Sequence, residues 1–193
     1  MIFSPGWSER KERAFIAAHL PPSGVFIDIG ANVGFYTFFV AGGWPSVTIV
    51  SVEPIHEYTA LLKFNIRAND LERVLVEEVA LSDREGVAEF NRETESMTFS
   101  AGEVSVRTTT LQHIATSRGI HKIDCMKIDV EGVEDRVLMP FFRFAAKSLW
   151  PKAIIVEHAS RLSWEEDCLV YAKANGYREQ MQTALNTGLV LEV

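Results

Sequence analysis

Only two cysteines occur in 193 residues, and they form neither a C-x-x-C pair nor the spacing of a zinc site. Cys125 falls in an apolar, strand-like run and Cys168 in a helical pattern, which predicts two reduced core thiols. Positive charge is also scarce. Nineteen Lys and Arg stand against 26 Asp and Glu, a net charge of -7, so the chain has no broad basic surface of the kind a non-specific nucleic-acid binder uses. The stretch MIFSPGWSERKERAF lacks the apolar core of a signal peptide and carries its charges at helical spacing, so a cytoplasmic location is expected. No repeat, low-complexity tract or Pro/Ser-rich linker divides the sequence, and its length predicts one domain over 1–193. Residues 25–43 form a nearly continuous apolar run of about membrane-spanning length. Asp28, Asn32 and four glycines interrupt it, so no membrane span is expected.

What the sequence does contain is alternation. Hydrophobic residues make up 47% and charged residues 23%, close to globular averages, and short β-rich runs alternate with amphipathic helical stretches. That order predicts an α/β fold. A helix over 9–20 stops at Pro21-Pro22. Strands are expected over 25–29, 47–52, 74–79, 123–128 and 153–157, with helices over 35–41, 56–68, 110–117 and 133–144 between them. A further helix over 164–175 ends at Gly176, and strands over 177–181 and 188–193, joined by a polar turn at 186–188, predict a terminal antiparallel hairpin on a mostly parallel seven-stranded sheet. The segment 83–106 breaks the pattern, because short strands at 87–90 and 104–106 flank the polar stretch NRETESMTFSAGE. It reads either as an inserted loop over a substrate site or as a solvated hairpin.

The run VFIDIGANVGFYT, residues 25–37, passes from an apolar strand through a glycine loop into a helix. Such a loop lets the main chain approach a ligand closely and presents helix N–H groups to it. The spacing is D-x-G-x-N-x-G, with Asp28, Gly30, Asn32 and Gly34, and Phe35 stands where a dinucleotide fingerprint wants its last glycine. Asn is the non-glycine residue that best tolerates a left-handed backbone, so Asn32 can replace a central glycine. A tight turn with no ligand is the alternative reading. Glu53 closes the second strand at roughly the 20-residue distance at which an acid reaches a ribose diol, and Pro54 ends that strand and aims the carboxylate. NAD sites use the same acid. Past the third strand, VALSD at 79–83 offers small and apolar residues for an adenine ring, Ala80 among them, with Ser82 or Asp83 as a polar edge.

The fourth strand ends in KIDVEG. Period-two alternation puts Lys127, Asp129 and Glu131 in line if extended geometry persists. Buried charges are costly unless paired or functional, and the carboxyl end of a central strand is where open α/β sheets bind ligands. A structural ion pair is the other option. Glu134 and Asp135, in the first turn of the next helix, read as cap and dipole partners. The fifth strand ends with Glu157 and His158, where an imidazole could take a hydroxyl proton or serve only as a hydrogen-bonded neighbour. His19, His56, His113 and His121 fall outside the expected cleft. Asp129 and Glu131 could hold a divalent cation, but two neighbouring carboxylates do not establish one, and no metal ligand is assigned.

In this order, VFIDIGANVGFYT, VEP, VALSD and MKIDVEGVE resemble the FkbM family of S-adenosylmethionine-dependent methyltransferases, over roughly 25–158. The resemblance implies a class I methyltransferase, a Rossmann-like three-layer sandwich. It also implies S-adenosylmethionine as methyl donor, S-adenosylhomocysteine as product, and a hydroxyl of a sugar, polyketide or other secondary metabolite as acceptor. Catalysis is then assigned to Asp129, Glu131, Lys127 and His158. Cofactor binding is assigned to Asp28, Gly30, Asn32, Gly34, Phe35, Glu53, Pro54, Ala80, Ser82 and again Asp129. One position departs from the family: Gln112 stands where related sequences commonly carry Asp in a T-L-D pattern, so no role passes to it. A small-molecule or carbohydrate acceptor is expected, with no nucleic-acid partner. An NAD(P)-binding oxidoreductase would share Glu53 but lacks its G-x-G-x-x-G spacing. A non-catalytic S-adenosylmethionine-binding partner protein would leave the strand-four acids without a purpose.

Overall fold

A computed structural model describes residues 9–91, 96–98 and 104–192. The order is α1 (Arg10–His19), β1 (Val25–Ile29), α2 (Phe35–Gly43), β2 (Thr48–Val52), α3 (His56–Ala68), β3 (Val74–Glu77), β4 (Ala80–Leu81), β5 (Gly86–Asn91), β6 (Ser96–Thr98), β7 (Val104–Thr109), α4 (Leu111–Ser117), β8 (Cys125–Ile128), α5 (Glu134–Phe144), β9 (Ala153–Glu157), α6 (Cys168–Ala174), β10 (Tyr177–Gln182) and β11 (Asn186–Leu191).

Period-two alternation within the strands sets the layers. Phe26, Ile49, Cys125 and Ile155 pack on one face of the sheet against Phe15 and Ile16 of α1, Val40 of α2 and Leu62 of α3. Ile27, Val50, Met126 and Ile154 pack on the other against Leu111 of α4, Leu138 of α5 and Leu169 of α6. Strands covered on both sides must be apolar throughout, which is why these segments read as continuous hydrophobic runs. The seven-stranded sheet has the order β10-β11-β9-β8-β1-β2-β3. Its central pairs are parallel, and β11 runs antiparallel to both β9 and β10. Both cysteines are buried and unbridged, and burial pushes the Cys125 thiol up to about 12.

Asp28 ties β1 to α2. Its Oδ2 accepts hydrogen bonds from the Thr37 N–H at 2.9 Å and the Thr37 hydroxyl at 2.7 Å, and the hydroxyls of Thr37 and Ser51 on β2 lie 2.7 Å apart. This buried knot fixes where the helix starts.

Three expectations need correction. The strand predicted over 74–79 stops at Glu77, and Ala80–Leu81 leaves the main sheet to pair with β7 in a second sheet of order β4-β7-β5-β6. Within 83–106 the short strands expected at 87–90 and 104–106 do form, as β5 and β7, and pair antiparallel. Val87 pairs with Arg107 and Ala88 with Val106, and Ala88 and Val106 join Ile55 and Ala80 in a small core. Residues 92–95 and 99–103 of its polar stretch lie outside the described residues. The turn predicted at 186–188 is instead the start of β11. Asn186 is drawn into the sheet by a buried hydrogen bond from its Nδ2 to Glu12 Oε1 at 3.2 Å, while the chain turns one step earlier, with Thr183 N donating to Asn186 O at 2.9 Å. The sixth helix starts at Cys168 rather than 164, because Asp167 caps it by accepting from the N–H groups of Leu169 and Val170. No helix among the described residues is long and apolar enough to cross a membrane.

Thr37→Val keeps the side-chain volume and leaves the buried Asp28 carboxylate without its hydroxyl donor. Urea unfolding is expected to show a loss of about 1–3 kcal/mol with an unchanged slope; an unaltered midpoint would mean the knot contributes nothing.

Candidate active site

A cleft opens at the carboxyl ends of β1, β2 and β8. Its rim begins with backbone geometry that only particular residues allow. Gly30 has φ +74°, and a Cβ there would stand 1.7 Å from the carbonyl oxygen of Asp129. Asn32 adopts φ +50°, as its residue type suggested, and Gly34 has φ +99°. The loop so formed directs the Asn32 N–H to Glu53 Oε2 at 2.9 Å, and the Ile55 N–H donates to Oε1, also at 2.9 Å. Glu53 is 5% exposed. Burial outweighs the two N–H donors and pushes its carboxyl up to about 7. Beside it, Ile55, Tyr58, Val79, Ala80 and Leu81 give the cleft an apolar wall, and Pro54 and Phe35 also line it.

The other end is charged. Lys127 is 4% exposed; its ammonium donates to Asp129 Oδ2 at 2.8 Å and sits 4.9 Å from the centre of the Tyr36 ring. Such a stacked, paired ammonium is held rigidly. Extended geometry ends at Ile128, and Glu131 has φ +56° ahead of Gly132 at φ +100°. The expected alignment of three charges therefore holds for Lys127 and Asp129 and breaks at Glu131, although all three line the cleft. The turn is stapled from below. Glu134, fully buried, accepts from the N–H groups of Val130 at 2.9 Å and Gly132 at 3.3 Å and from the Trp164 indole at 2.9 Å. Asp135 accepts from the Glu165 N–H at 2.8 Å. These acids cap neighbouring turns rather than their own helix, and burial raises the Glu134 carboxyl above the usual range.

The remaining sequence-predicted residues lie around the cleft without lining it. Asp28 and Gly34 support the loop from behind: a Cβ at Gly34 would meet Leu62 and Phe38 at 2.6 Å. Ser82 donates through its N–H to Thr109 O at 2.9 Å and through its hydroxyl to Asp83 at 3.1 Å, which ties it to the second sheet. His158 faces β11, with Nδ1 3.0 Å from the Thr187 hydroxyl, and burial together with the Arg161 charge lowers its pKa. Its neighbour Glu157 is 6% exposed and accepts from the Ala159 N–H at 2.8 Å; burial, with Asp129 as the largest repelling charge, pushes its carboxyl up to about 7. The sequence reading did not assign Tyr36, Glu9, Tyr58 or Ile55 to the cleft. Tyr36 was within reach of it, since it follows Phe35 in the first turn of α2. Glu9 precedes α1 and has no local signal that points to a site at the far end of the sheet.

A parallel sheet of this order with an antiparallel strand between its last two members, a glycine loop after β1 and an acid after β2 defines a class I methyltransferase fold. The sequence model of the methyltransferase FkbM domain matches residues 28–179, and the chain belongs to the FkbM methyltransferase family. Solved structures share the fold at low identity. The methyltransferase FkbM of Methylobacillus flagellatus KT is 16% identical with a TM-score of 0.64, covering 89% of this chain and 44% of its own, so this chain spans less than half the length of that relative. An rRNA methylase of Streptococcus thermophilus is 10% identical with a TM-score of 0.60, over 99% of this chain and 100% of its own. A Streptococcus mutans protein solved in complex with S-adenosylhomocysteine is 7% identical with a TM-score of 0.58, over the full length of both chains. A comparison with curated proteins finds no match.

The raised carboxyl of Glu53 has a consequence for stability. Its ordinary value of 4.5 becomes about 7 on folding, so the folded chain binds more protons between those values. The stabilisation is complete below about pH 4.5 and falls as pH rises through 7. In Glu53→Gln, the decline of unfolding free energy with pH over this window should be shallower, by up to about 1.4 kcal/mol per pH unit. Equal slopes in urea titrations at several pH values would contradict the assignment.

Proposed function

We propose that this chain is an S-adenosylmethionine-dependent methyltransferase that methylates a hydroxyl of a small neutral acceptor such as a sugar, glycan or secondary metabolite. The observation that carries the reading is the position of Glu53. Its two oxygens are fixed by the N–H groups of the glycine loop and of Ile55, at the rim of a cleft whose wall past β3 is apolar. A carboxylate held in this way can accept both protons of a ribose diol while Val79, Ala80 and Leu81 flank an adenine. The close passage of Gly30 by the Asp129 carbonyl keeps position 30 free of a side chain, which fits a ligand approached there by backbone.

When bound, the cofactor supplies a methyl group on a sulfonium, already activated for transfer. The chain's part is positioning and proton removal. Asp129, oriented by Lys127 and lining the cleft, is placed to accept the acceptor hydroxyl's proton; Glu131 and Tyr36 bound the same space. His158 is turned toward Thr187 and is the weaker candidate for the base. Glu9, Asp129 and Glu131 outnumber Lys127 along this part of the wall, which favours a neutral acceptor over a phosphate-rich one.

Calorimetric titration with S-adenosylhomocysteine, NAD and NADP in parallel tests the cofactor. Micromolar binding of S-adenosylhomocysteine alone is expected, lost in Glu53→Ala. NAD or NADP binding with none by S-adenosylhomocysteine would overturn the reading. In a screen with methyl-labelled donor, Asp129→Asn should lower transfer to a hydroxylated acceptor by about 10²- to 10⁴-fold, and methylation of RNA in place of small molecules would overturn the acceptor class.

A further inference from the structure

We propose that Asp129, Glu134 and Glu157 form a binding site for one divalent cation of the hard, oxygen-preferring class. The three acids come from separate elements: Asp129 from the end of β8, Glu134 from the start of α5 and Glu157 from the end of β9. One carboxylate oxygen from each lies within 4.8 Å of the others. That is the spread expected of oxygens that each stand about 2.0–2.6 Å from a shared Mg²⁺ or Ca²⁺. Asp129 and Glu131, the pair the sequence suggested, are not the acids that converge, because the backbone turns over at Glu131.

Charge and hydrogen bonding both leave room for such an ion. Lys127 offsets one of the three carboxylates through Asp129, so two negative charges remain at the site. Glu134 accepts from three N–H donors. Glu157 has one, from Ala159 to Oε1; among the described residues its Oε2 is buried with no hydrogen-bond partner, in a residue 6% exposed. The strand beside it offers no relief. Asn186, paired in register with Glu157, also presents a buried Oδ1 with no donor, and its Nδ2 is already engaged by Glu12, so flipping the amide would only exchange one deficit for another. Two acceptors without donors at adjacent register positions call for positive charge. A cation there would bind the 129–134 turn to β9 and fix Asp129 in the cleft wall from behind.

Cation binding does not depend on the methyltransferase reading, and the test keeps them apart. The full chain, without cofactor, is titrated with Mn²⁺ and followed by electron paramagnetic resonance and calorimetry, with Mg²⁺ and Ca²⁺ as competitors. One Mn²⁺ per chain is expected, displaced by either competitor, with affinity at least about tenfold weaker in both Glu157→Gln and Asp129→Asn. A cooperative urea unfolding transition of Glu157→Gln reports that this variant is folded. Should it not fold, Asp129→Asn, at a half-buried position, gives the same readout. No Mn²⁺ bound at about 10 mM, or unchanged affinity in both variants, overturns the site. Loss of S-adenosylhomocysteine binding with Mn²⁺ binding intact would count against the cofactor reading alone.

Discussion

The carbonyl oxygen of Asp129 passes Gly30 so closely that no side chain can stand between them. The contact follows from the sheet: β1 and β8 are neighbours, and the Asp129 N–H continues their ladder by donating to Ile29 O at 3.0 Å. With a Cβ at position 30 the two strands could not end side by side, and the positive φ there would be strained as well. Everything around the cleft depends on that approach. It brings the DIGANVG loop and the KIDVEG turn to one point, while Asp28 and Thr37 anchor α2 behind the loop and Asn32 reaches across to Glu53 just past β2.

The same convergence crowds acids at one end of the sheet, and each is accommodated differently. Asp28 has a hydroxyl and an N–H from Thr37; Glu53 has two backbone N–H groups; Glu134 has two more and an indole. Asp129 has an ammonium, and Glu157 only one N–H. Burial raises the carboxyls of Asp28, Glu53, Glu134 and Glu157 despite these donors. The folded chain thus tolerates an arrangement that is poor for stability, and such local conflicts concentrate where ligands bind.

How far the sequence could be read follows from how local each signal is. The strands at 25–29 and 153–157 and the helix at 56–68 emerge with the residues expected of them, because burial on both faces and flanking Gly and Pro mark them without reference to the rest of the chain. Asn32 was legible for the same reason, since its left-handed backbone is a property of residue type and loop spacing. The failures are long-range. Asn186 carries a turn signal that its distant partner Glu12 overrides. Glu78 and Val79 look like the end of the third strand, and Ala80 and Leu81 carry no sign of β7, which claims them for another sheet. Glu9 reaches the cleft from before α1, and Glu134 and Glu157 meet only where the start of α5 comes to the end of β9.

An rRNA methylase shares this scaffold, so the scaffold cannot decide the acceptor; the side chains at the open end of the cleft must. A polyanion approaching that end would need several cationic groups to neutralise its phosphates. Here the Lys127 ammonium is already engaged by Asp129, while Glu9 and Glu131 add negative charge to the rim. Under the function proposed above, a neutral polyol meets no such barrier. Its hydroxyls find carboxylate acceptors, and its uncharged rings can rest on the apolar lining that Tyr36, Val130 and Val133 contribute to the cleft. On the proposed reading, the acids that line the cleft past the end of β8 select what comes to meet the methyl donor.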